Sequence, residues 1–260
     1  MIIKYRDYEY PNIILAENGY LTPLFQNDPE TLKNIEKWRT EQNGVVVLQK
    51  GIEPYFHEAD ILSKINENKD GYFDFNKAII DIGAHVGCYS FRSHFKYAYS
   101  FEPNKIIYHF LCINLMIHDK FNISNVYNVM LSDKKEIIKF DGFHTVLDDQ
   151  QSSFFNDMKP DKNNGRYEDD CITHTLDEYN CTNVGLIKVD VEGMEEKVLR
   201  GGIGTIIRNS YPPILFELWD VGYLDMTQEK HNSLKNFLEN LGYTIYWHWG
   251  DHETHLAIHK

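Results

Sequence analysis

From residue 77 onward, short apolar runs alternate with helical stretches, and this alternation leaves few architectures open. The runs are "KAIIDIG", "YAYSFE", "NVYNVMLS", "VGLIKVD" and "PPILFELW". Between and after them stand "GCYSFRSHF", "NKIIYHFLCINLMIH", "GMEEKVLRGGIGTIIRN" and "QEKHNSLKNFLENLG", which read as helices. Strands that alternate with helices predict an α/β fold, a parallel sheet with helices on both faces. The runs lack a strict two-residue alternation, as strands covered on both sides do. Two further runs, "YTIYWHW" and "HLAIHK", flank "GDHET" and predict an antiparallel hairpin at a sheet edge.

The alternation breaks over residues 132–180. That span reads as an insertion, with "EIIKFDGF" and "HTVLDD" as a hairpin and "NDMKPDKNNGRYEDD" as a loop. Before residue 77 the pattern is less regular. "DPETLKNIEKWRTEQ" reads as a helix that starts at Asp28 and Pro29, "GVVVLQKG" as a strand, and "HEADILSKINE" as a second helix. The division expected is an extension over residues 1–54, capping the pocket or mediating assembly, and a main domain over residues 55–260. A homo-oligomer is compatible with this division.

Bulk properties argue against several classes of partner. The chain of 260 residues is 42% hydrophobic, enough for a real core, and carries a formal net charge of −13. A surface built to grip nucleic acid or anionic lipid would have the opposite sign. Cys88, Cys112, Cys171 and Cys181 form no C-x-x-C pair. His248, His252, His255 and His259 fall in the closing strand–turn–strand pattern and read as scattered rather than chelating. The N-terminus is charged from residue 4 and lacks the apolar centre of a signal peptide, and no run is long enough to span a bilayer. A soluble, cytoplasmic protein is expected.

The first chemical constellation is "IIDIGAHVGCYS", a strand, a glycine turn and a helix start. Gly83 and Gly87 bracket the turn. In open α/β sheets the ligand lies outside the carboxyl ends of the strands, which here means Asp81 to Gly87. Glu102 ends the next strand, about 20 residues on, and Pro103 stops it. A carboxylate at that place accepts hydrogen bonds from the two hydroxyls of a ribose. The turn is not G-x-G-x-x-G, and Asp81 would repel a pyrophosphate. A cationic ligand with a ribose and no phosphate suits these residues better, which favours S-adenosylmethionine over NAD. A second constellation lies at the later strand ends. Asp190 and Glu217 close adjacent strands, and Lys188 shares a face with Asp190. Glu192 and Glu195 stand at the start of the following helix, where its dipole favours carboxylates. Glu195 reads as a capping or salt-bridging residue, and Lys188 as the charge that balances the cluster.

In order and spacing, "IIDIGAHVG", "SFEPN", "NVMLSD", "LDEY", "IKVDVEGMEEKVLRGG" and "PPILFE" resemble the FkbM-type methyltransferases over roughly residues 55–260. The resemblance implies a Rossmann-like class I methyltransferase with a mostly parallel seven-stranded sheet. It implies S-adenosylmethionine-dependent O-methylation of a hydroxyl on a sugar, glycan or secondary metabolite. Asp81, Gly83 and Gly87 would frame the methionine end of the cofactor, Glu102 the ribose, and Ser132 and Asp133 the adenine. Asp190 and Glu192 would lie at the methyl-transfer site. His85 stands where the family commonly has Asn.

An alkyl hydroxyl must lose its proton in or after methyl transfer, so a base is needed within hydrogen-bond reach. Asp190 is the expected base, or a ligand with Glu217 of Mg²⁺ or another divalent ion that lowers the hydroxyl pKa. His144, in the insertion, is a second base candidate. Tyr89, Phe154, Phe155, Trp219 and Tyr223 are aromatic side chains that could stack on a sugar, although most of them read as core. Two other functions remain open on the residues alone: a non-catalytic binding or scaffold protein of the same fold, and an NAD-dependent oxidoreductase.

Overall fold

The computed structural model describes residues 3–5, 8–10, 13–15, 21–23, 54–140, 169–222 and 226–260. The expected helix at Asp28, the strand "GVVVLQKG", the segment "HTVLDD", His144, Phe154, Phe155 and Tyr223 lie outside the described residues. Four strands of three residues each come first: β1 (Ile3–Tyr5), β2 (Tyr8–Tyr10), β3 (Ile13–Leu15) and β4 (Leu21–Pro23). They pair antiparallel as β1–β2 and β3–β4. Three residues are too few to show a period, and the sequence reading does not contain them.

Helix α1 (Pro54–Glu67) leads into the main sheet. Its strands are β5 (Ala78–Ile82), β6 (Tyr97–Phe101), β7 (Ser124–Tyr127), β11 (Val184–Val189), β12 (Ile214–Glu217), β13 (Tyr243–Tyr246) and β14 (Thr254–His259). Across the sheet the order is β13-β14-β12-β11-β5-β6-β7. All neighbours are parallel except β14, which runs antiparallel to both β12 and β13. The mostly parallel seven-stranded sheet with an antiparallel C-terminal hairpin is therefore the observed architecture. The hairpin does not sit wholly at the edge, because β14 inserts between β12 and β13.

The connecting helices are α2 (Cys88–Arg92), α3 (Lys105–Ile117), α4 (Glu195–Arg200), α5 (Ile203–Arg208) and α6 (Gln228–Asn240). β5 and β11 are buried along their whole length, which is why their sequences carry no alternation. On one face Ile61, Leu62 and Ile65 of α1 pack with Ile79, Leu186, Leu215 and Leu256. On the other, Val198, Leu199, Ile206, Leu234 and Leu238 pack with Ile80, Ile187, Val189 and Phe216. Each such side chain contributes roughly 1.5–3 kcal/mol by leaving water. Thr227 caps α6 by accepting from the Lys230 amide at 3.2 Å, and Leu234, Phe237 and Leu238 form its buried stripe.

Three local readings need correction. The run expected as one strand, "NVYNVMLS", splits between β7 and β8 (Met130–Leu131), which joins a different sheet. In that three-stranded sheet β9 (Ile137–Phe140) pairs antiparallel with β10 (Asp169–His174), and β10 runs parallel to β8. The partner of "EIIKF" is thus a segment read from sequence as loop and beyond. The single helix expected over residues 193–209 is broken at Gly201–Gly202. A Cβ on Gly201 would stand 2.0 Å from the Ser132 carbonyl oxygen, and one on Gly202 would stand 2.9 Å from Leu176 Cδ2. The bare backbone there lets the break pack against β8 and the short helical turn Leu176–Tyr179. Asp177 then restarts the helix, accepting from the Gly204 amide at 2.9 Å and from the Thr205 amide and hydroxyl at 2.6 and 2.8 Å.

Candidate active site

The carboxyl ends of β6, β5, β11 and β12 lie side by side, so Glu102, Asp81, Asp190 and Glu217 meet along one rim. Each comes from a strand whose apolar body fixes its depth. Asp81 is fully buried, and burial pushes its pKa up against the opposing pull of Lys188. Its Oδ2 accepts from the Ser90 hydroxyl at 2.5 Å, and Ser90 Oγ lies 2.7 Å from Ser100 Oγ. Its Oδ1 is buried without a hydrogen-bond partner, 3.7 Å from Lys188 Nζ.

The glycine turn is held to the sheet on both sides. The Gly83 and Ala84 amides donate to the Phe101 carbonyl at 3.1 and 3.0 Å. Lys188 Nζ donates to the Gly83 carbonyl at 3.0 Å. Gly83 has φ +70°, and a Cβ there would stand 1.8 Å from the Asp190 carbonyl oxygen. Its bare Cα is therefore required by the neighbouring strand of the protein itself, a packing reason that the sequence could not separate from close ligand approach. His85 has φ +49°, and its amide donates to Glu102 Oε2 at 2.9 Å. The Asn104 amide donates to Glu102 Oε1 at 2.7 Å. Burial nevertheless pushes the Glu102 carboxyl up to about 7. Asn128 Nδ2 donates to the Glu102 and Pro103 carbonyls at 2.9 Å each, and so ties the strand end to the loop after β7.

Lys188 is the cation at the centre. It is 4% exposed, lies 3.3 Å from Asp190 Oδ2 and stands over the Tyr89 ring at 5.3 Å. The two-residue spacing on β11 thus places Lys188 and Asp190 on one face, as read from the sequence. Glu192 follows with φ +56°. Its carboxyl has no hydrogen-bond or ion-pair partner among the described residues. Burial, then Asp190 and Glu195, push it up to about 8. Glu195 Oε1 accepts from the Val191 and Gly193 amides at 3.1 and 3.0 Å, and burial pushes this carboxyl up to about 7. Burial, with Asp190, Glu192, Glu195 and Glu253 nearby, also holds Glu217 well above the ordinary carboxylate range. Glu253 comes from the loop between β13 and β14, where no spacing signal in "GDHET" marks it. The insertion of β14 beside β12 brings it in, through pairing of Glu217 with Thr254.

Other sequence candidates fall elsewhere. Ser132 is buried; its hydroxyl donates to Asp133 Oδ1 at 3.2 Å and its amide to the His174 carbonyl at 2.8 Å. Tyr89 and Trp219 are core residues, not open stacking platforms. His255 is held between the His248 amide, which donates to its Nδ1 at 2.8 Å, and the Leu218 carbonyl, 3.2 Å from Nε2.

The donor set does not fit a divalent ion. One oxygen of Asp190 faces Lys188, and no group of three or more His, Cys, Asp or Glu side chains among the described residues is arranged to hold a metal. The expected Asp190–Glu217 metal pair has no third such ligand grouped with it among the described residues. The set does fit a cationic, ribose-bearing ligand. Asp81 keeps a buried oxygen beside the glycine turn that accepts no hydrogen bond and is paired only with Lys188, and both Glu102 oxygens, fixed by backbone amides, retain acceptor capacity. No helix among the described residues is long and apolar enough to cross a membrane.

The Methyltransferase FkbM domain matches residues 81–245. No curated protein matches the chain in sequence. Among solved structures, the chain is similar to methyltransferase FkbM from Methylobacillus flagellatus KT, with a TM-score of 0.51 and 16% identity. That match covers 78% of this chain and 50% of the other, so the chain spans about half the length of that protein. A putative caffeoyl-CoA O-methyltransferase from Staphylococcus aureus aligns at 12% identity over 90% of this chain and 94% of that one, with a TM-score of 0.43. Precorrin-6y C5,15-methyltransferase from Geobacter metallireducens GS-15 aligns at 14% identity over 78% and 86%, also with a TM-score of 0.43. With the family's domain matched across the glycine turn, the acidic strand ends and the sheet between them, the chain belongs to the FkbM methyltransferase family and has its Rossmann-like fold.

Proposed function

We propose that the chain is an S-adenosylmethionine-dependent O-methyltransferase acting on a hydroxyl of a sugar, glycan or secondary metabolite. S-adenosylmethionine supplies an electrophilic methyl group on a sulfonium. Glu102 accepts hydrogen bonds from the ribose hydroxyls, and Asp81 supplies negative charge at the methionine end. Glu192 takes the acceptor's proton, in preference to Asp190. The observation that carries this assignment is the pairing of Asp190 with Lys188 at 3.3 Å, beside a Glu192 carboxyl without such a partner. A base poised near 8 is well matched to an alkyl hydroxyl at mildly alkaline pH. Asp190, held by Lys188, orients the acceptor and sets negative charge beside the sulfonium. Positioning of acceptor and methyl in line supplies much of the rate.

Residues 1–54 are proposed as an extension and residues 55–260 as the methyltransferase domain, with the 132–180 insertion near the acceptor and His144 within it. The test is a methyl-transfer assay against a panel of sugars, glycans and small hydroxylated metabolites, read by mass spectrometry. An acceptor that gains one methyl on oxygen supports the reading. Methyl transfer only to nitrogen, carbon or nucleic acid contradicts it.

A further inference from the structure

Glu195 opens α4, and its carboxylate bonds its own amide there and also the Gly193 and Val191 amides before it. A carboxylate at a helix start usually accepts from amides one to three residues further on. Here Oε1 reaches backward and accepts from the Val191 and Gly193 amides at 3.1 and 3.0 Å. Those two amides flank Glu192. Glu192 has φ +56° and Gly193 has φ +93°, two consecutive residues in the left-handed region. Glutamate rarely adopts that backbone, and it persists only where surrounding contacts over-determine it. The carboxylate is 3% exposed, so its two amide donors act in a buried setting. An apolar side chain in its place would leave both amides without this acceptor.

We propose that Glu195 is a positioning residue: by gripping the Val191 and Gly193 amides it holds Glu192 at the rim beside Asp190. This rests on the reading of Glu192 as proton acceptor. The charged and titratable groups that face Glu192 are Asp190, Glu195, Lys188, Glu253 and Glu217, from β11 and its end, α4, the β13–β14 loop and β12.

Glu195→Gln and Glu195→Leu separate the clamp from the charge, because the Gln side-chain carbonyl can still accept from both amides. The probes are hydrogen exchange of the Val191 and Gly193 amides, ¹³C titration of the Glu192 carboxyl, and S-adenosylhomocysteine binding by calorimetry, all on the full chain. In Glu195→Gln, exchange should stay within about twofold of wild type, and the Glu192 midpoint should move below about 8 because one like charge is gone. In Glu195→Leu, exchange at both amides should rise about tenfold or more, and the Glu192 midpoint should fall toward the free glutamate value as the carboxyl leaves its buried place. S-adenosylhomocysteine binding is expected to persist in both. Unchanged exchange in Glu195→Leu overturns the proposal, as does loss of amide protection in Glu195→Gln. Should Glu195→Leu fail to fold, Glu195→Ala, which likewise removes the acceptor, takes its place with the same expected and overturning results. Failure of the base reading looks different: Glu192→Gln would keep its turnover while the exchange results stand.

Discussion

At the scale of single residues, burial decides which carboxyls are ready for chemistry. Glu102 is pushed up to about 7 although two backbone amides oppose the shift. If its ionised form holds the ribose, cofactor affinity should fall as pH drops through about 7. Glu102→Gln should weaken S-adenosylhomocysteine binding about 10- to 100-fold, the cost of charge-assisted hydrogen bonds, and calorimetry across pH 6–8.5 checks both. Glu192→Gln should lower turnover about 100-fold or more with little effect on cofactor affinity. Asp190→Asn should cost less turnover. The wild-type rate should rise with pH through a limb near 8, where Glu192 gives up its own proton. Equal turnover in Glu192→Gln and wild type, by steady-state kinetics on an acceptor from the panel, would return the role of base to Asp190. Much of this was legible in the sequence. Asp81, Glu102, Asp190 and Glu192 stand out as acids at strand ends, and Lys188 as their counter-charge. Which acid Lys188 takes was not legible, because that depends on side-chain distances. Neither was Glu253, which reaches the rim through strand order alone.

At the scale of elements, glycines mark where backbones touch. Gly83→Ala places a Cβ where the Asp190 carbonyl oxygen stands 1.8 Å away, so β5 and β11 must separate at the point that carries the site. A loss above about 3 kcal/mol is expected, with loss of cofactor binding, read by thermal unfolding and calorimetry. Gly201→Ala, against the Ser132 carbonyl at 2.0 Å, should destabilise comparably. A thermal midpoint near wild type for Gly83→Ala would contradict this packing. The same contacts explain what sequence reading missed among the elements. "GMEEKVLRGGIGTIIRN" has helical periodicity throughout, but the close approach of Ser132 to Gly201 breaks it. The strand Asp169–His174 gains its partner Ile137–Phe140 from far along the chain, so local spacing does not announce it. The main sheet, by contrast, was readable because burial on both faces writes unbroken apolar runs into each strand.

At the scale of the whole molecule, one rim gathers more negative charge than its cations balance, and this couples stability to pH. Glu102, Glu192 and Glu195 hold protons more tightly folded than unfolded, at about 7, 8 and 7. Their contribution is fully present below about 4.5 and is lost as pH rises through 7 to 8. His255 acts in the opposite sense. Burial lowers it to about 4, so its contribution is lost as pH falls from about 6.5 toward 4. These three carboxyls, with Asp81 and Glu217 raised in the same direction, outweigh one imidazole and give a net fall toward alkaline pH. The thermal midpoint at pH 5.5 should exceed that at pH 8.5 by roughly 5 °C or more, and scanning calorimetry checks the sign. A cationic ligand at the rim should narrow that gap. The most direct measurement is therefore titration calorimetry of the full chain with S-adenosylmethionine and S-adenosylhomocysteine at pH 7.5. One equivalent bound per chain in the micromolar range is expected, weakened by Glu102→Gln. No binding of either compound at about 1 mM would contradict an S-adenosylmethionine site at these strand ends.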